Sequence, residues 1–346
     1  MAKVNLLTLH YADNNGSVLQ TYATCKILES LGHEVTLINL QNKDTVIGKY
    51  RSFRAWLSLP RYLKFWWFRQ KYFPRMTRRM FVIKQKFLRP CDCTVVGSDQ
   101  VWNPDFKIVK TGAYFLNFID GKKVALASSF GKREWKAPDD FTEKVRQWLS
   151  VFSAISVRES AGVSICKEVF NLDSVQVVDP TLALGNFCEL LDCTPHNEKE
   201  IRCFLFKDKY SLDVVDYVSK KEKLPVRQVG RKGRRGYAKS PFWFQSPIDW
   251  LKMIRDSKIW ISDSFHGIAC AIVLKKQFIA LCADPRKLER ISSLLALFGL
   301  GHRLVLSLDD LKNRYCEIMT PIDYCAVEEI LDKEKIKYRL FIQENI

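Results

Sequence analysis

Nowhere in this chain do apolar residues run to the roughly 20 that a membrane-crossing helix needs, so a spanning protein is not expected. The opening run, Val4 to Leu9, is too short for a signal peptide, and no small-residue cleavage site follows it. It reads as a first buried strand of a cytoplasmic protein. Low-complexity tracts and repeats of fixed period are also missing, which sets aside solenoid and compositionally disordered classes. Metal-ligand spacing is absent too. Cys91-Asp92-Cys93 has the wrong interval for a zinc site, and no second Cys pair or nearby His completes one. The 11 cysteines are scattered, and several (Cys25, Cys203, Cys270, Cys282) lie in apolar runs where a reduced thiol serves as a small core residue. Finally, residues 49–89 contain no Asp or Glu at all, against 13 Lys or Arg, and supply most of the net charge of +17.

What is present suits two α/β domains: 346 residues, 47% hydrophobic. A strand at Val4 to Leu9, a helix at Val18 to Leu31 stopped by Gly32, and a strand at His33 to Asn39 make a βαβ opening, which implies a parallel sheet. Short buried strands follow at Cys93 to Gly97, Lys123 to Ser128, Ala154 to Val157 and Val175 to Val178. The theme repeats with strands at Ile201 to Phe206, Pro225 to Val229, Ile259 to Ser262 and Gln277 to Cys282. Helices are expected at Leu212 to Lys221, Asp249 to Asp256 and Gly267 to Leu274. The expected fold class is α/β, with two Rossmann-like parallel-sheet domains at 1–185 and 196–325. Residues 49–89 form a basic aromatic helical insert cut by Pro60 and Pro74, and 326–346 form a closing helix.

The chemistry is expected where buried strands end, because ligands of open α/β sheets bind beyond the strand C-termini. Ile259 to Ser262 runs straight into Asp263-Ser264-Phe265-His266-Gly267 and a new helix, whose N-terminus suits a phosphate or carboxylate. Ser264 can cap that helix, and His266 can bind the anion or shuttle a proton. Arg158 follows Ala154 to Val157 and offers a bidentate partner for an anion. Asp99, in Gly97-Ser98-Asp99-Gln100-Val101-Trp102-Asn103, is placed as a general base for a sugar hydroxyl. Asn14-Asn15-Gly16 and Ser128-Ser129-Phe130-Gly131-Lys132 close two further strands. Each turn alone equally fits a structural cap or a salt bridge. Five polar turns directly after buried strands argue for one anion-handling group-transfer enzyme.

These blocks resemble the polysaccharide pyruvyl transferase family over nearly the whole chain outside the basic insert. The marks are Asn15-Gly16-Ser17-Val18-Leu19-Gln20-Thr21-Tyr22-Ala23, Val96 to Asn103, Ala127-Ser128-Ser129-Phe130-Gly131, Ile155-Ser156-Val157-Arg158-Glu159, Val178-Asp179-Pro180-Thr181-Leu182 and Ser262 to Gly267, in the family's order. The resemblance implies a GT-B-like fold and phosphoenolpyruvate as co-substrate. The product would be a pyruvate ketal on a sugar, such as galactose in a polyprenyl-diphosphate-linked oligosaccharide, with no cofactor or metal. Donor binding falls to Arg158, Ser264, His266, Gly267, Ser129 and Lys132, and acceptor binding to Asn15, Gly16, Gln20, Asp99 and Trp102; His266, Asp99 and Arg158 are the catalytic group. Some members carry Arg where this chain has Ser264, so Arg158, Lys132 or the Arg231–Arg235 loop is expected to complete the positive charge. Two other readings are a GT-B glycosyltransferase using a nucleotide sugar and a non-catalytic, membrane-associated scaffold of glycan assembly.

Residues 49–89 also hold twelve aromatics among their cations. A solvated basic surface, a patch for the inner membrane surface and a single-strand-binding groove all fit that composition. No nucleic-acid fold or motif accompanies the segment, so no nucleic-acid partner is expected. A peripheral position on the cytoplasmic membrane face is the preferred reading.

Overall fold

The computed structural model describes residues 1–42, 59–192, 198–206, 209–230, 237–241, 245–282 and 285–346. They form two compact units. Unit one draws on described residues within 1–58, 66–184 and 333–346, and unit two on those within 59–65 and 185–332.

Unit one is built on six parallel strands: β1 (Lys3–Leu7), β2 (Glu34–Leu37), β3 (Cys93–Val96), β4 (Lys123–Ser128), β5 (Ala154–Val157) and β6 (Val175–Gln176), in the order β2-β1-β3-β4-β5-β6. Leu6 pairs in register with Leu37 on one side and Val95 on the other. The central strands are buried along their length, as parallel strands covered on both faces must be. The chain leaves β1, forms helix α1 (Asn15–Ser30) and returns to β2, then crosses to the other side of β1 for β3. The carboxyl ends of β1 and β3 therefore diverge into a topological switch point, the position where such sheets open a crevice.

In the basic segment, helix α2 runs over Leu59–Tyr72. Pro60 falls in its first turn, where a missing N–H costs nothing, and Pro74 lies just beyond its end. The two prolines thus bracket one helix instead of fragmenting it.

Unit two carries β7 (Ile201–Phe204), β8 (Val226–Gly230), β9 (Ala238–Pro241), β10 (Ile259–Ser262), β11 (Phe278–Leu281) and β12 (Leu304–Val305). They are parallel in the order β12-β11-β10-β7-β8-β9, the dinucleotide-fold order, with its switch point between β7 and β10. Helix α3 (Phe265–Val273) leaves β10 after two residues. The closing helix α4 (Tyr324–Asn345) is divided between the units after Asp332. Strands β9 and β12 and the helix Pro285–Leu297 are additional to the elements read from sequence. The Arg231–Arg235 loop and residues 49–58 of the insert lie outside the described residues.

Candidate functional site

In unit one the loop after β1 and the loop after β3 enclose a cleft of about 390 Å³, lined among others by Tyr11, Asn14, Ser17, Asp99, Gln100 and Asp105. Two local features shape it. The Asn14 carboxamide oxygen accepts from Gly16 N (2.9 Å) and Ser17 N (3.4 Å), which caps α1 and fixes the turn. Asp99 adopts a left-handed backbone, φ +76°, which Asp tolerates better than most side chains. Its carbonyl accepts from Val101 N (2.7 Å) and Ser129 N (3.1 Å), so this strained residue is clamped from two sides. Non-glycine residues in this conformation concentrate at functional sites.

The Asp99 carboxylate is equally well held. Oδ2 accepts from Ser17 Oγ at 2.7 Å, Oδ1 accepts from Gln100 N at 2.8 Å, and Arg158 Nη2 stands 3.6 Å from Oδ1. Asp99 keeps 11% of its side chain exposed, enough to reach the cleft, whereas Arg158 keeps 1%. Arg158 Nη1 donates to Asp179 Oδ2 at 2.7 Å, and its Nε lies 3.7 Å from Glu159 Oε2. Burial works to lower the guanidinium pKa. The surrounding carboxylates, Asp179 first and then Asp99 and Glu159, outweigh it and hold the pKa above its ordinary value. Arg158 is therefore a buried counter-ion that positions Asp99. It presents no open surface for the carboxylate or phosphate that the sequence assigned to it.

Other named residues also turn inward. Glu159 Oε1 accepts from Ser129 Oγ (2.8 Å), Phe130 N (2.9 Å) and Gly131 N (3.2 Å), which engages Ser129 inside the same network. Gln20 is buried, and its amide donates to Thr8 Oγ1 and the Ser17 carbonyl, both at 3.0 Å, tying α1 to the end of β1. Asn15 and Gly16 are buried in the first turn of α1. Trp102, expected at the acceptor, is a core side chain: its indole N–H donates to the Tyr114 carbonyl (2.9 Å) and its ring stacks on Phe115. Lys132 pairs with Asp105, a residue of the cleft lining, at 2.5 Å.

Three contributors were not legible as site residues. Ser17 is one. Tyr11 is another; burial, and then the Asp99 carboxylate, push its phenol up to about 12, so it remains a donor at neutral pH. The third is Arg69 of α2. Its Nε donates to the His10 carbonyl (3.0 Å), and its Nη2 donates to the Tyr11 and Ala12 carbonyls (3.0 and 2.8 Å) and to Asp13 Oδ1 (3.2 Å). One guanidinium thus pins the whole loop that carries Tyr11.

In unit two the turn after β10 is wired to the end of β7. Both Asp263 carboxylate oxygens accept from Phe206 N (3.0 and 2.9 Å), and Ser262 Oγ donates to the Phe204 carbonyl (2.8 Å). Ser264 caps α3, its hydroxyl accepting from Gly267 N at 3.3 Å. At Gly267 a Cβ would meet Ser262 Oγ at 2.8 Å, so any side chain there would force the Ser262 hydroxyl or the turn to shift. The partly buried His266 ring stands edge-on to Phe265, centroids 5.3 Å apart. Ser264, His266 and Gly267 are thus gathered on one helix N-terminus, an arrangement suited to an anion. Among the described residues no group of three His, Cys, Asp or Glu is placed to hold a metal ion.

Two parallel-sheet α/β units, each with polar turns at its switch point, define a GT-B-like fold. Solved structures share that fold. MnaA of S. aureus, solved with UDP, is 13% identical over 98% of this chain and 97% of that one, TM-score 0.53. A UDP-N-acetylglucosamine 2-epimerase from Rickettsia bellii is 11% identical over 98% and 96%, TM-score 0.52. A kitacinnamycin glycosyltransferase is 10% identical over 100% and 99%, TM-score 0.54. No curated protein matches the chain by sequence. The particular family follows from residues 14–282, well over half the chain, which match the model of the polysaccharide pyruvyl transferases: the protein belongs to that family. It is accordingly a transferase of polysaccharide biosynthesis.

Proposed function

We propose that the protein transfers the pyruvate unit of phosphoenolpyruvate to two hydroxyls of a sugar, forming a cyclic ketal, with a lipid-linked, galactose-containing glycan as acceptor. Asp99 carries this reading: a carboxylate held by Ser17, Gln100 and Arg158 that lines the cleft and keeps part of its side chain exposed. In the reaction the donor's methylene carbon gains a proton and a sugar hydroxyl adds to its C2. Phosphate departs with the C2–O bond electrons, and the second hydroxyl closes the ring. Of the two hydroxyl protons released, one matches the proton gained by the methylene carbon and the other leaves with the phosphate as hydrogen phosphate.

Asp99 takes the proton of the attacking hydroxyl, and the Tyr11 phenol donates a hydrogen bond to the sugar. Arg158, with Asp179 and Glu159 behind it, fixes the Asp99 carboxylate. The α3 N-terminus takes the phosphate, and His266 binds it or supplies the proton. No cofactor enters this scheme.

The test is phosphate release from phosphoenolpyruvate with a panel of lipid-linked sugars. Asp99→Asn, which keeps the left-handed backbone tolerable, is expected to lose about 10²–10⁴-fold in kcat. His266→Ala retaining more than about a tenth of turnover would remove His266 from the chemistry. Thermal stabilisation by a nucleotide sugar but not by phosphoenolpyruvate would instead favour glycosyl transfer.

A further inference from the structure

Helix α2 has two unlike faces. Phe65, Phe68 and Arg69 are buried, while Trp66 and Trp67 keep 47% and 49% of their surface in water. The chain that follows continues the pattern: Arg75, Arg78, Arg79, Lys84 and Lys86 are exposed, and Phe81 and Val82 between them are exposed too. Among the described residues, neither these five cations nor Lys71 has a salt-bridge partner. Several stand over rings instead: Lys71 over Trp67 at 4.9 Å, Arg79 over Phe81 at 5.7 Å and Lys86 over Phe87 at 5.4 Å. No acidic residue between 49 and 89 offsets them. Amphipathic rings interleaved with uncompensated cations match the boundary between anionic headgroups and acyl chains.

We propose that the outer face of Trp66–Lys86 docks on an anionic lipid surface. A single-stranded nucleic acid would need ring faces open for base stacking. Trp67 and Phe81 already carry a cation over theirs. The inner face of the same helix holds the Tyr11 loop through Arg69, so docking would bring a membrane-borne acceptor to the cleft. That last step rests on the proposed activity, whereas the lipid binding does not.

The experiment is flotation of the full chain with phosphatidylglycerol or phosphatidylcholine vesicles. Binding is expected to be at least about ten-fold stronger to the anionic vesicles and to weaken between about 0.1 and 0.5 M salt. The double variants Trp66→Ser/Trp67→Ser and Arg78→Glu/Arg79→Glu should each bind about ten-fold less, with unchanged circular dichroism and unchanged turnover of a water-soluble acceptor. No binding to anionic vesicles, equal binding to both lipids, or full binding by both variants would overturn the docking. So would retention on a single-stranded oligonucleotide without vesicle binding. Flotation that succeeds while phosphate release fails leaves the docking standing and removes the activity.

Discussion

Arg158 shows how a single residue changes meaning between sequence and structure. After a buried strand it looks like an anion clamp; folded, it is the shared counter-ion of Asp179, Asp99 and Glu159 in a site with almost no solvent. Breaking a buried ion pair from one side leaves an uncompensated charge, a cost of about 3–5 kcal/mol. Arg158→Met is therefore expected to lower unfolding free energy by that order in a denaturant titration. A residue acting only on substrate would leave stability unchanged. Gly267 gives a second prediction. Ala in a helix normally improves on Gly by about 1 kcal/mol. Here the new Cβ would press on Ser262 Oγ, which is anchored on Phe204 O and accepts from Ser264 N. The clash reverses the sign: Gly267→Ala should destabilise by about 1–3 kcal/mol and reduce turnover by reshaping the His266 turn.

At the scale of elements, α2 is joined to the β1–α1 loop by one guanidinium with three backbone acceptors. On the proposed reaction, Arg69→Ala should raise the KM for acceptor about ten-fold while leaving the KM for phosphoenolpyruvate unchanged. Arg69→Lys should not rescue it, because a point ammonium cannot reproduce the planar fork. Steady-state kinetics against each substrate separates the two constants. This contact was illegible in sequence because Arg69 sits 56–59 positions from its partners within a basic run that reads as solvated surface. By contrast β4, β5 and β10 occupy the spans read from sequence, since each is a short apolar run ending in a polar turn. β12 is only two residues long, and the Ala-Lys-Ser-Pro of β9 has little strand propensity, so partner strands and not local preference create them. Asp99 was visible as a polar turn. Its backing by Asp179, 80 positions on, was not, because only folding brings β5 and the segment after β6 together.

The whole molecule should resist acid poorly. Burial first, and then Arg69 nearby, lower His10 to about 4 against hydrogen bonds that favour its charged form, and His33 and His302 are lowered as well. In the folded protein His10 is neutral, while the unfolded chain binds its proton near 6.5. Stability is then complete above about 6.5 and falls as pH drops toward about 4, by about 3 kcal/mol for His10 alone. Protonation also adds to a net charge already at +17. Urea unfolding across that range should show the loss, and His10→Gln should flatten the slope by about one proton. Charge is distributed with a bias inside unit one as well. Three carboxyl groups face one guanidinium beneath the cleft. In the proposed reaction, an amino sugar bearing an ammonium in place of the attacking hydroxyl would meet that excess, stay protonated and be gripped instead of reacting. On the proposed reaction, inhibitors are therefore better sought among cationic amine mimics of the sugar than among anionic mimics of phosphoenolpyruvate.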